Sequence, residues 1–248
     1  MSASALLEAF EVHSPEGIEA ALAAGVSAVD PINGRPPIEH LIEAYLRSSH
    51  FAECLRVMLN AGAVIDDPLL EAVLQDDSSR LQSLITESPR RLHQKLSLVT
   101  AFTSCRGVTA LHICSEFNSI ACARVLLELG ADVNAAADRN AEGIGGHTPI
   151  FHAVNSILNY CRPVMELLVE AGADLEVKID SLLWGESMNW ETVVYDVTPI
   201  SYAQCGLYRQ FHRREQDVYS NLEYLYRSKH GTAPGFRNVP NRYLVEGH

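Results

Sequence analysis

The chain has little positive charge. Nineteen Lys and Arg stand against 31 Asp and Glu in 248 residues, a formal net charge of −12. That balance removes the basis for broad attraction to nucleic acid, which rests on cations neutralising phosphates. No apolar run approaches the roughly 20 residues needed to cross a bilayer, so no membrane partner is expected. There is no CxxC pair and no short Cys/His spacing of a zinc ribbon or finger. The six cysteines, at 54, 105, 114, 122, 161 and 205, read instead as free, mostly buried thiols. The opening residues MSASALLEAFEVHSPEG place no Lys or Arg ahead of their apolar stretch and carry Glu8 and Glu11 inside it. That is unlike a secretory leader, and a cytoplasmic location is the expectation.

What is present is an ordinary globular composition, 47% hydrophobic and 20% charged, in a chain long enough to bury a sizeable core. The charge is uneven. From Gly206 to His248 seven Lys or Arg face four acids, so this end is +3 and the remainder −15.

Aligning the chain on glycine exposes a repeat. Before Gly130, residues Cys122, Val125, Leu126 and Leu129 fall at i, i+3, i+4 and i+7; before Gly172 the same places hold Val164, Leu167, Leu168 and Ala171; before Gly62 they hold Cys54, Val57, Met58 and Ala61. Each set is one apolar stripe of a short helix, and a glycine just past the last apolar position suits the left-handed turn that ends it. GADV, GADL and GAVI follow, with a fainter GVSAV from Gly25. A second element opens the helix before each stripe: TALHIC at Thr109, TPIFHA at Thr148, TPISYA at Thr198, PPIEHL at Pro36 and DPLLEA at Asp67. Thr or Asp can accept from the free amides of a first helical turn, and Pro loses nothing there.

The pairing of T-P-L-H-x-A-like openings with L-L-x-x-G-A-D-like closings resembles the ankyrin repeat. The resemblance implies an all-α solenoid of about six helix-turn-helix repeats with elongated β-hairpin finger loops. The expected domain spans 1–230, with repeats at 3–33, 34–65, 66–106, 107–145, 146–195 and 196–230, and a tail at 231–248 packed on the last repeat. Successive openings lie 31, 42, 39 and 50 residues apart, so insertions follow the third, fourth and fifth repeats. They are expected on the finger side. The last contains both tryptophans, Trp184 and Trp190, in flanks of β-branched and apolar character around Gly-Glu-Ser-Met-Asn, a pattern that predicts a hairpin. Its aromatic rings either meet a partner or seal the last repeat.

Chemical readings lose to structural ones. His112, Cys114 and Cys122 lie within eleven residues, yet by the resemblance His112 bonds the Thr109 region, and the two thiols belong to different helices. His40 and His152 read as equivalent repeat positions, not members of a triad. GIGG at Gly143 lacks the strand and Lys of a phosphate loop and reads as a flexible connection, and FHRREQD at Phe211 reads as a solvated face. No catalytic residue, metal or cofactor is expected.

The resemblance implies a non-catalytic, monomeric module that binds another protein through a free concave face and its fingers, with Asn33, Arg35, Arg139, Asn140, His147, Trp184 and Trp190 as candidate contacts. The acidic body suits a partner with a basic patch. The alternative is an enzyme or ligand-binding protein whose site is formed by the 178–196 insertion and the C-terminal segment; a cavity joining Trp184, Trp190, His212 and Arg213 would favour it.

Overall fold

The computed structural model describes residues 3–235. Residues 236–248, most of the expected tail, lie outside the described part. Twelve α-helices among the described residues follow one another as pairs: α1 (Ala3–Glu11) with α2 (Pro15–Ala23), α3 (Pro37–Glu43) with α4 (Phe51–Asn60), α5 (Pro68–Leu74) with α6 (Ser78–Glu87), α7 (Ala110–Phe117) with α8 (Ile120–Glu128), α9 (Ile150–Ala153) with α10 (Arg162–Glu170), and α11 (Pro199–Cys205) with α12 (Glu215–His230). First helices stack on first helices (α1 on α3, α5 on α7, α7 on α9, α9 on α11), and second helices on second (α2 on α4, α6 on α8, α8 on α10, α10 on α12). This mostly helical stack of pairs is the arrangement that the resemblance to ankyrin repeats implies. Each pair buries one stripe against its neighbours, and the buried apolar residues join in one cluster from Leu6 to Leu225.

Local chemistry accounts for the helix ends. Asp67 accepts from the amides of Leu69 and Leu70, and Thr198 from that of Ser201. At Thr109 the bonding runs through His112, whose Nδ1 accepts from the Thr109 amide at 3.2 Å and faces its hydroxyl at 2.9 Å. Thr148 departs from the expected cap: α9 starts only at Ile150, and the buried Thr148 hydroxyl has no partner among the described residues. Gly25, Gly62, Gly130 and Gly172 end α2, α4, α8 and α10 with φ of +91°, +97°, +88° and +90°, a conformation that costs glycine little.

Two repeated polar links tie neighbouring pairs. Asp76 and Asn118 sit left-handed between their helices, at φ of +52° and +57°. Asp76 caps α8 in the next pair, its carboxylate accepting from Cys122 at 2.8 Å, and Asn118 caps α10 through Val164 at 3.3 Å. In the GAD turns, Asp132 accepts from Asn134 and Asp174 from Glu176, while Asn134 accepts from the Asp174 amide. The aspartates of the motif therefore close their own turns, and Asn134 joins one turn to the next.

Two β-hairpins interrupt the stack. β1 (Leu96–Leu98) pairs antiparallel with β2 (Cys105–Val108), and β3 (Ile179–Trp184) with β4 (Thr192–Val197), in a register that sets Ile179 against Val197 and Trp184 against Thr192. The insertions do not project separately. Gly185 N–H donates to Phe102 C=O at 2.7 Å, Ser104 N–H to Leu183 C=O at 3.0 Å, Gly145 N–H to Ser181 C=O at 3.1 Å and Asp138 N–H to Gly107 C=O at 2.9 Å. All three insertions are thus knitted together. GIGG is correspondingly a tight turn: Arg139 and Gly145 form a β-bridge, and Asn140 Oδ1 accepts from the amides of Glu142 and Ile144.

Candidate functional site

The insertions fold across the inner face, which the sequence led us to expect free. Tyr45, just after α3, meets Phe102 with ring centroids 4.9 Å apart, Trp190 edge-on at 5.7 Å and His212 at 6.5 Å. Its hydroxyl donates to Phe211 C=O and accepts from Arg213, each at 3.3 Å. Arg213 also donates to Asn155 C=O at 2.7 Å and stacks on Phe102, so this part of FHRREQD is an anchor and not a solvated face. The physical reason is burial of aromatic area: Phe102 and Trp184 are 5% and 1% exposed, Phe102 covered by Tyr45, Arg47 and Arg213 and Trp184 by Phe211.

Beside this contact a groove of about 840 Å³ remains, walled by Leu7, Phe10, Tyr45, Leu46, Met188 and Trp190, with Glu11, Glu43 and His212 also lining it. It joins Trp190 and His212 but not Trp184 or Arg213. A second groove, of about 660 Å³, lies on the finger side between Val29, Val64, Leu98 and Arg106.

Beneath the insertions lies a buried polar cluster. Arg47 donates to Glu116 Oε1 at 3.0 Å, Glu116 Oε2 lies 3.0 Å from His152 Nδ1, and His152 Nε2 lies 3.1 Å from His147 Nε2. His112 Nε2 is 3.1 Å from His147 C=O. His152 thus bridges Glu116 and His147, and the Ser104 backbone is a further hydrogen-bond partner of the His147 ring. Burial holds His112 and His147 well below the ordinary imidazole range, with the neighbouring His152 acting in the same direction.

Cys105 Sγ is 3.8 Å from the same His152 Nδ1 that Glu116 occupies. A relay needs thiol and acid on opposite ring nitrogens, and burial, reinforced by Glu116, pushes this thiol well up, away from the reactive thiolate. The donor atoms of Cys105, Glu116 and His152 lie within 4.8 Å of one another. Arg47 already neutralises Glu116, however, so a divalent ion would leave uncompensated buried charge even after losing the thiol proton. The cluster suits a clasp better than a reagent. His112 of one expected repeat converges with His147 and His152 of the next, with ring centroids 5.0 to 5.7 Å apart, whereas His40 stays apart, 2.9 Å from Ile32 C=O.

The predicted contact residues scatter. Asn33 is exposed at a tight turn in which Ile32 and Arg35 pair; the Asn33-Gly34 dipeptide was the available signal for it. Arg35 is held by Glu39 at 3.0 Å and Glu43 at 2.5 Å. Arg139 and Asn140 are exposed, Arg139 reaching Asp180 of β3 at 3.1 Å. His147 is buried in the cluster, and Trp184 is buried with its ring stacked on Phe211 at 4.3 Å; neither lies on the surface. Trp190 is half-buried and donates to Ala101 C=O at 3.4 Å. Sequence reasoning missed Tyr45 and Arg47, whose importance depends on segments far away in the chain. Cys114 and Cys122 are buried as expected, on separate helices, and all six cysteines are free and buried.

Residues 69–179 match the family model for ankyrin repeats, in three copies. The matched segment runs from α5 to the first residue of β3. Among curated proteins none matches the chain. Among solved structures, the crystal structure of EF0377, an ankyrin repeat protein, is similar over 91% of this chain and 97% of that one, at 20% identity and a TM-score of 0.40.

Proposed function

Because residues 69–179 match the family model for ankyrin repeats, we propose that the chain is a non-catalytic module that binds another protein, with its six helix pairs serving as six repeats bounded at 3–33, 34–65, 66–106, 107–145, 146–195 and 196–230. The three copies over 69–179 carry this reading. Stacked repeats offer a surface contributed by several units and already ordered before binding, which lowers the entropy lost on association. The same two-helix layout in the pairs on either side supports extending the array in both directions.

The insertions cover the middle of the inner face, so the binding surface is the finger edge together with the grooves at its margins. The exposed finger residues Asn33, Arg139 and Asn140 belong to it. The body of the chain is strongly acidic, which favours a partner with a basic patch; the chain works as a monomer in the cytoplasm. A standard interface would bury about 800 Å² on each side.

Affinity capture from native lysate tests the reading. The intact chain should retain a defined protein that salt releases, and Asn33→Gly, which keeps the left-handed turn, combined with Arg139→Ala and Asn140→Asp, which keeps the acceptor for Glu142 and Ile144, should lose it while unfolding nearly as before. Retention of the same proteins by the triple variant, or by no bait at all, would overturn it.

A further inference from the structure

We propose that the groove beside Tyr45 and Trp190 takes a segment of a partner protein in which apolar side chains stand next to Lys or Arg. This deepens the reading of the chain as a protein-binding module and rests on it.

The walls are apolar and come from opposite ends of the chain: Leu7 and Phe10 from α1, Tyr45 and Leu46 after α3, Met188 and Trp190 from the tip between β3 and β4. The volume, about 840 Å³, accommodates several side chains. The floor is preformed, because Trp190 is fixed by its bond to Ala101 C=O and by its edge contact with Tyr45. A half-exposed indole held in one orientation costs little entropy to bury, which is how such rings act as interface anchors.

Charge selects the partner. None of the described lining residues is Lys or Arg, while Glu11 and Glu43 are both present. Glu43 is paired with Arg35. Glu11 is exposed at the end of α1, where the dipole of the helix adds to its negative field. Residues 1–60 contain eight acids against three arginines, and one of those, Arg47, is buried in its pair with Glu116. An apolar slot rimmed by unbalanced carboxylate fits an apolar segment flanked by cations and repels an acidic one.

The test is selection of a phage-displayed random-peptide library against the intact chain, with Trp fluorescence to read affinity. Enriched peptides should place apolar residues beside Lys or Arg. Trp190→Ala should weaken them about tenfold or more, the scale of losing an interface anchor. Glu11→Arg, a change at an exposed position that leaves the core intact, should weaken them and reduce their salt dependence. Enrichment of acidic peptides, or affinities unchanged in both variants, overturns the proposal. So does binding that appears only after residues 236–248 are deleted, which would assign the groove to the chain's own end, or a dimer abolished by Trp190→Ala, which would assign it to a second copy. A captured protein lost by the finger variant but indifferent to Trp190→Ala would refute the groove alone and leave the module standing.

Discussion

Arg47 and Glu116, 69 residues apart in the chain, form an ion pair at 3.0 Å with side chains only 1% and 2% exposed. The guanidinium lies against the rings of Phe102 and Phe117, 4.8 and 4.4 Å from their centroids, while the second carboxylate oxygen takes His152. Removing one partner strands the other charge in a place without water. Glu116→Ala is therefore expected to cost about 3–5 kcal/mol in urea unfolding, and Arg47→Met with Glu116→Leu to recover most of it. A single-variant cost below about 1 kcal/mol, the range of a solvent-screened pair, would show that the site is wet.

Acid should weaken the fold before it protonates most carboxylates. Burial lowers His13 to about 4 and holds His112 and His147 well below their ordinary range. The unfolded chain takes up these protons first, near pH 6.5. Stability is then full above that pH and declines as pH falls, for His13 until about 4, with each histidine contributing a slope of about 1.4 kcal/mol per pH unit. Urea midpoints at pH 7, 6 and 5 measure it, and His112→Asn should flatten the curve. A midpoint constant across that window would contradict the buried neutral rings.

The two tryptophans should separate by experiment. Trp184 is 1% exposed and stacked on Phe211, so Trp184→Ala is expected to cost about 3–5 kcal/mol. Trp190 is half-buried, and its replacement by Ala should cost less than half as much. Equal costs would mean that the groove is filled when the protein is free.

Two glycines two residues apart in one turn, Gly143 and Gly145, should respond differently to alanine. At Gly145, φ is +124° and a Cβ would sit 2.3 Å from Asp138 O; at Gly143, φ is +81° with open space around it. Gly143→Ala should cost about 1 kcal/mol for its backbone conformation, and Gly145→Ala clearly more, because the clash is with Asp138 backbone whose own amide is bonded to Gly107 C=O. Thermal midpoints of the two variants would reveal any failure of this order.

The helices were legible because their signals are local. The stripe before Gly130, the Asp67 and Thr198 caps and the glycine stops each depend on residues within one turn, and the hairpin around Trp184 and Trp190 announced itself by composition. What escaped was long-range. Nothing near Tyr45 says that Phe211 will receive its hydroxyl, and nothing near Arg47 says that a Glu on α7 will bury it. The histidines were readable singly but not as a cluster, since His147 lies in an insertion whose course is set by bonds to the β3 strand. Thr148 shows the opposite error, a correct local motif in which the helix begins later than the cap requires.

The bond from Tyr45 to Phe211 spans 166 residues, and this has a bearing on how the polypeptide comes to be assembled. An open array can form unit by unit, each copy resting on the one before. Here Tyr45 and Arg47 meet Phe211, Arg213 and Glu116 only once those later segments have been synthesised, so closure must bear the loop entropy of much of the molecule and is expected to be slow. Shortening the chain from its distal end would accordingly unsettle Tyr45 and Arg47 near its beginning, a vulnerability that an array of independent neighbours does not have.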